Sequence, residues 1–146
     1  TLDGMIQMLE GLNAQGGDYA WLSTDDLDDD WLIAADRLEN PMGLDSGFVP
    51  WCIRHGIPVI VGWDEWGGHW MVIIGYDDMG TEATQDDIII LADPYDTTDH
   101  CQDGYVIESW ERLVYGWGAA FDERGSELFL ALGTTDLFEA VGLPVE

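Results

Sequence analysis

Residues 56–77 read Gly-Ile-Pro-Val-Ile-Val-Gly-Trp-Asp-Glu-Trp-Gly-Gly-His-Trp-Met-Val-Ile-Ile-Gly-Tyr-Asp. Two apolar, β-branched runs flank a turn rich in glycine and tryptophan, which predicts strands over 57–63 and 70–76. His69 stands at the mouth of the second strand, after two glycines that let a backbone or a ligand approach closely. A single histidine on an apolar face is more often a hydrogen-bonded core residue than a catalyst. Its place at the start of the strand favours a functional role.

A second apolar run ends in an acid, because residues 88–95 read Ile-Ile-Ile-Leu-Ala-Asp-Pro-Tyr. Pro94 cannot continue a central ladder, so the predicted strand stops at 92. If strands 70–76 and 88–92 pair as a hairpin, His69 and Asp93 face each other at one edge of the sheet. An acid bonded to a histidine nitrogen fixes its tautomer and stabilises its protonated form, as a general base requires. The simpler alternative is that Asp93 caps a turn before Pro94.

Helical patterns come first along the chain and strand patterns follow. Further helices are predicted over 3–12, 29–39, 45–55, 108–115 and 134–141, and further strands over 104–107 and 128–132. Runs of helices followed by runs of strands indicate an α+β fold with segregated halves. The sequence has no internal repeat and no linker, so we expect one domain over 1–146.

The charge balance restricts the partners. Thirty acidic residues oppose four basic ones, giving a formal net charge of −26. Such a polyanion repels nucleic-acid phosphates and anionic membrane surfaces, so we expect neither as a partner. An acidic surface suits a high-salt environment, where screening removes the self-repulsion, but it also suits plain solubility or a site for cationic ligands. No signal peptide is visible, and no apolar run is long enough to insert into a membrane.

Two cysteines, Cys52 and Cys101, are too few for a disulfide framework, and we expect free thiols. Cys52 is a poor nucleophile candidate, because it falls near the end of a predicted helix, whereas a helix start is what lowers a thiol pKa. The set Cys52, His55, His100 and Cys101 fits no common zinc spacing. We therefore expect no metal site and no cofactor, beyond adventitious Ca²⁺ on the many carboxylates.

The order of these motifs resembles the C39-like branch of the papain-like cysteine peptidases. The likeness rests on Gly-Ile-Pro-Val-Ile-Val, on Gly-Gly-His-Trp before a strand ending Gly-Tyr-Asp, on Ala-Asp-Pro-Tyr, and on the strand-to-helix segment 104–112 with Gly-Trp at 116–117. It covers roughly residues 45–132. The resemblance implies a papain-like fold, with an N-terminal helical half packed on a C-terminal antiparallel sheet. It also implies that His69 is the catalytic histidine and Asp93 its orienting acid.

The resemblance further implies a peptide or protein substrate, with Trp63, Trp66 and Trp70 as candidates to line the cleft, although core packing is the alternative for these rings. The family's nucleophilic cysteine, at the start of the first helix, has no counterpart here. Either the cysteine lies just upstream of Thr1, which we prefer, or Thr1 stands near its position in an inactive relative that only binds. A plain structural or interaction module is a third reading. In the preferred reading the start of the first helix faces His69 across a cleft. Substrate and oligomeric state are not predicted.

The charge predicts a response to salt. Self-repulsion at −26 should oppose the compact state at low ionic strength, and screening should relieve it. We therefore expect the melting temperature, followed by circular dichroism, to rise between low salt and molar NaCl. An unchanged melting temperature would remove the high-salt interpretation and leave a merely solvated acidic surface.

Overall fold

The computed structural model describes residues 1–26, 47–64, 67–96, 99–119, 121–122, 125–126 and 128–145. Its helices are α1 (Leu2–Asn13), α2 (Val49–Arg54), α3 (Trp110–Ala119) and α4 (Thr135–Val141). Its strands are β1 (Ala20–Ser23), β2 (Val59–Trp63), β3 (His69–Asp77), β4 (Ile88–Ala92), β5 (Tyr105–Ser109), β6 (Phe121–Asp122), β7 (Gly125–Ser126) and β8 (Phe129–Gly133). The predicted α+β fold class is confirmed. The helix predicted over 29–39 lies outside the described residues, as does the start of the one predicted over 45–55.

Six of the described strands form one sheet in the order β1-β8-β2-β3-β4-β5, and every neighbouring pair is antiparallel. The predicted hairpin of β3 and β4 is confirmed, with Ile73 opposite Leu91 and a bulge between Ile73 and Gly75. Among the described residues, the two-residue strands β6 and β7 pair only with each other. The end of β2, the start of β3 and the end of β4 therefore lie side by side along one end of the sheet. This end carries the candidate site.

Strand β1 was not predicted from the sequence. Its four residues pair with β8 from Ala20 opposite Gly133 to Ser23 opposite Leu130. A strand this short has little periodicity of its own, and its partner lies more than 100 positions along the chain, so local pattern does not reveal it. The segregation of helices and strands is therefore incomplete, because the unpredicted β1 precedes α2, while α3 and α4 follow strands as the helices predicted over 108–115 and 134–141 do.

The two faces of the sheet bury different helices. One face, named here the α2–α3 face, carries alternate residues such as Val61, Met71 and Leu91 and packs in one apolar cluster with α2, α3 and α4. The opposite face, named the α1 face, packs against α1 in a smaller cluster of buried residues, Leu2, Leu9 and Leu130, with Ile60 and Trp70 half-buried beside them. The period of two in a strand produces this division. Among the described helices none is both long and apolar enough to cross a membrane.

The α1 face is not covered to its edge. Towards β5 it carries three large apolar side chains in the open, namely Ile74, Ile90 and Ile107, of which Ile107 is 69% exposed. Strand β5 ends the sheet order, so its outer edge has no partner strand among the described residues. Apolar side chains beside an open strand edge form the kind of surface on which chains can associate.

A buried polar contact ties β3 to the loop before β4. The Tyr76 hydroxyl donates a hydrogen bond to the Asp87 carboxylate, which is buried. Burial, assisted by this hydrogen bond, raises the pKa of Tyr76 above its ordinary value. The Asp87 carbonyl accepts the N–H of Trp110 at 2.9 Å, at the start of α3. The contact therefore fixes α3 to the sheet at the end away from His69.

Helix α3 packs tightly against the end of β2 at Gly116. A methyl group added there would lie 1.2 Å from Nε1 of Trp63, whereas one added at Gly118 would meet nothing within 4 Å. The Gly116 carbonyl also accepts the N–H of Asp64 at 3.2 Å. Gly116 is thus the residue that lets the end of β2 lie against the helix.

This contrast gives a matched pair of substitutions in one helix. Gly116→Ala should destabilise the chain by about 1–3 kcal/mol, because Trp63 must move. Gly118→Ala should be neutral or stabilising by up to about 1 kcal/mol, because alanine is the better helix former. Urea unfolding of both variants gives the two free energies. Equal free energies for the two variants would contradict the close packing of Gly116 on Trp63.

Candidate active site

The turn between β2 and β3 positions His69. Trp63, the last residue of β2, pairs directly with His69, the first of β3. Gly67 and Gly68 in the intervening turn have φ values of +83° and +112°, a region that side-chain-bearing residues rarely adopt. His69 alternates with Met71 and Ile73, so its side chain belongs to the α2–α3 face.

His69 and Asp93 are in direct contact. Nε2 of His69 lies 2.6 Å from Oδ1 of Asp93, and both residues are buried, at 6% and 2% exposure. The hairpin register explains the contact, because Asp93 is the residue after β4 and His69 is the first of β3. The expected proximity is therefore observed. With the Nε2 proton directed at the carboxylate, the neutral ring keeps its lone pair on Nδ1.

The loop after β4 holds Asp93 in place. The Asp93 N–H donates to the Gly104 carbonyl at 2.9 Å, and the Gly104 N–H donates to Oδ2 of Asp96 at 2.7 Å. Oδ1 of Asp93 also accepts the Tyr95 N–H at 2.9 Å. The simpler reading, in which Asp93 only caps this turn, therefore describes part of its contacts, since the same oxygen serves both the turn and His69.

An aromatic ring lies against the buried pair. The Tyr95 ring stands edge-on to the His69 ring, with centroids 5.0 Å apart, and is itself 64% exposed. Oδ2 of Asp93 is buried without a hydrogen-bond partner among the described residues. The sequence motif includes Tyr95 but predicts no role for it, because its ring contact depends on the loop conformation.

A cleft of about 230 Å³ opens beside His69. It is lined by Gly62, Trp63, Asp64, Gly67, Gly68, His69, Trp70, Ala119 and Leu128. Of the three tryptophans expected there, Trp63 and Trp70 line it, whereas Trp66 lies outside the described residues. Trp63 is only 3% exposed, so most of its ring packs in the core, and Trp70 is half-buried. Asp64 and Leu128 are lining residues that sequence reasoning missed.

Helix α3 contacts the Trp63 ring through Arg112. The Arg112 guanidinium carbon lies 5.3 Å from the centroid of the Trp63 ring, and Arg112 Nε is 3.1 Å from a Glu108 carboxylate oxygen. Nε1 of Trp63 is buried without a hydrogen-bond partner among the described residues. These contacts hold the ring on one side of the cleft.

No described contact joins Cys52 or Cys101 to His69. Both are free thiols, as expected, with Cys52 buried and Cys101 exposed. The Cys52 carbonyl accepts the Ile57 N–H before β2, and α2 lines a pocket with Tyr76 at the end of β3 away from His69. Burial raises the pKa of the Cys52 thiol far above its ordinary value. Among the described residues no group of three or more His, Cys, Asp or Glu side chains could hold a metal ion.

The described contacts place α1 on the face of the sheet opposite the His69 side chain, whereas the expected approach of the start of α1 to His69 stays a prediction. Leu2 and Leu9 pack on the α1 face, whereas His69 belongs to the opposite face of the sheet. The physical reason is the period of two along β3, because Trp70, next to His69, is the residue that joins the α1 cluster. The side chain of Asn13 bonds both backbone groups of Tyr19, so α1 ends beside β1 at the end of the sheet away from His69.

Comparison with known proteins agrees with this geometry. No curated protein and no solved structure matches the chain. The sequence model of the Peptidase_C39 like family matches residues 26–116, more than half of the chain, and the match includes His69, Asp93 and the strands that carry them. A papain-like arrangement of helices on an antiparallel sheet fits that family. The chain therefore belongs to the Peptidase_C39-like family.

Proposed function

We propose that this chain is a single cysteine-peptidase-type hydrolase domain acting on peptide or isopeptide bonds, with His69 as general base and Asp93 as the acid that orients it. The observation that carries the proposal is the buried 2.6 Å hydrogen bond between the two side chains beside an open cleft. Membership of a peptidase family implies a protein substrate. No cofactor is required, and the charge of −26 argues against a nucleic-acid partner.

The proposed chemistry assigns a role to each nitrogen of His69. Nε2 donates to Asp93, so Nδ1 takes the proton of the attacking thiol. The thiolate adds to the carbonyl carbon, and the imidazolium returns the proton to the leaving amine. Water then hydrolyses the thioester with Nδ1 again as base. Asp93 stabilises the imidazolium in both halves of the reaction, since a carboxylate at hydrogen-bond distance favours the charged ring.

We propose that the attacking thiol is supplied from a segment upstream of Thr1. Helix α1 ends at the sheet end away from His69, and its cluster reaches Trp70 at the near end, so its first turn is the part closer to the cleft. The segment would have to pass around the end of the sheet from the α1 face. About 10 Å separates packed layers, a distance that about three extended residues span.

A non-catalytic binding domain is the second candidate. The packing of α1 on the face opposite His69 favours it, because no thiol near the start of that helix reaches the base without a turn of the chain. In this case His69, Trp63 and Trp70 would bind a peptide without cleaving it, with Trp66 as a further proposed contact. Turnover of a peptide substrate distinguishes the hydrolase from the binding domain.

The hydrolase proposal is tested with two lengths of protein. A protein extended upstream of Thr1 should cleave fluorescently labelled casein, and the 146-residue chain should not. In the extended protein His69→Ala should lower kcat/KM about 10²–10⁴-fold, because the general base is lost. His55→Gln, at the end of α2 away from the cleft, should leave it unchanged.

Other outcomes would overturn parts of this assignment. Cleavage by the 146-residue chain that Cys52→Ser abolishes would identify Cys52 as the nucleophile. Cleavage that survives both Cys52→Ser and Cys101→Ser would require a different attacking group. An extended protein that binds casein without cleaving it would leave the binding domain as the function.

The raised pKa of Cys52 makes a separate prediction. A thiol reacts as its thiolate, and a pKa above the ordinary value keeps Cys52 protonated at neutral pH. We expect a disulfide reagent such as DTNB to modify the exposed Cys101 rapidly and Cys52 only after unfolding. Cys101→Ser should remove the rapid phase and Cys52→Ser the slow one. Rapid modification of Cys52 in the folded chain would reopen its candidacy.

A further inference from the structure

Asp64 stands beside the candidate base but has no role in the chemistry above. It follows the last residue of β2 and lines the same cleft as His69. Its backbone N–H is fixed by the Gly116 carbonyl at 3.2 Å, while its side chain is exposed. The carboxylate is therefore carried on an anchored backbone at the entrance of the cleft.

The Asp64 carboxylate is an uncompensated charge. In the part of the chain that the structure describes, its side chain makes no hydrogen bond and no ion pair, whereas the nearby Arg112 is paired with Glu108 at 3.1 Å. Arg54 lies on α2, in a pocket with Tyr76 away from the cleft. A cation brought by a ligand would thus meet no competing arginine from these two residues.

The rest of the cleft suits the stem of a long cationic side chain. The half-buried Trp70 offers aromatic surface, along which the methylene groups of lysine or arginine pack while the charged head stays in water. Gly67 and Gly68 leave room, since a methyl group added at either would meet nothing within 4 Å. An aromatic wall with one exposed carboxylate beside it forms a recognition set for a basic side chain.

We propose that the cleft selects peptides that carry a lysine or arginine next to the peptide residue bound at His69. Asp64 is the specificity-determining residue. The net charge of −26 adds a long-range attraction for cationic peptides, which speeds encounter without selecting a position. The inference rests on the proposed peptide-binding function of this cleft. It does not require cleavage.

The test measures binding by the 146-residue chain through the fluorescence of its tryptophans. The probes are capped pentapeptides with lysine, norleucine or glutamate between alanine pairs. The lysine peptide should bind about fivefold more tightly than the norleucine peptide, as expected for one partly solvated ion pair. Asp64→Asn should remove this preference. Asp78→Asn, which removes the same charge at the other end of β3, should keep it.

A lysine preference that Asp64→Asn leaves intact, or that Asp78→Asn lowers equally, would overturn the proposal and leave general charge attraction. Equal affinity of the wild-type chain for the lysine and norleucine peptides would overturn it as well. The hydrolase proposal fails by a different readout, namely casein turnover by the extended protein. A preference that depends on Asp64 without any turnover would support this specificity while rejecting the hydrolase.

Discussion

A carboxylate that is 2% exposed persists inside a protein only when hydrogen bonds or a counter-charge replace its water. Asp93 meets this condition through two donors on one oxygen, the His69 ring and the Tyr95 N–H. The His69 donor depends on the register of β3 against β4, since a slip of one residue would turn His69 to the α1 face, whereas the Tyr95 N–H belongs to the turn after β4. The compensation of one buried charge thus requires the hairpin, the loop after β4 and the orientation of the histidine together.

The sequence predicted this part of the molecule well because the signals are local. The strands over 57–63, 70–76 and 88–92 are long apolar runs with clear ends, and a histidine and an acid at those ends meet in an antiparallel pair. The side on which α1 packs could not be predicted. It depends on which alternate residues of β2, β3 and β8 remain uncovered, and a strand's own pattern does not reveal which helix covers which face when both faces are apolar. Asp64 was missed for a related reason, since one acid among thirty carries no signal without the cleft around it.

The acidic surface acts against association of two chains through the β5 side of the sheet. The sheet leaves isoleucines exposed beside the outer edge of β5, which has no partner strand in the described part of the chain, and such an edge is a surface for pairing of two copies. Two chains at −26 each repel one another at low ionic strength, so the acids act against such pairing.

The two arginines of the described residues are not spread evenly, because Arg112 packs on the Trp63 ring and Arg54 lies on α2.

The position of β8 has a consequence for the order in which the chain can be built. This strand lies between β1 and β2 in the sheet, although it is the last strand in the chain and falls beyond the residues matched by the family. During synthesis the β2–β3 hairpin therefore emerges from the ribosome with one edge unpaired, and β1 waits for a partner more than 100 residues away. Closing so long a loop is entropically costly and slow. Until β8 arrives, the strand that leads to His69 is an unprotected edge, and a chaperone or rapid completion of the chain would protect it.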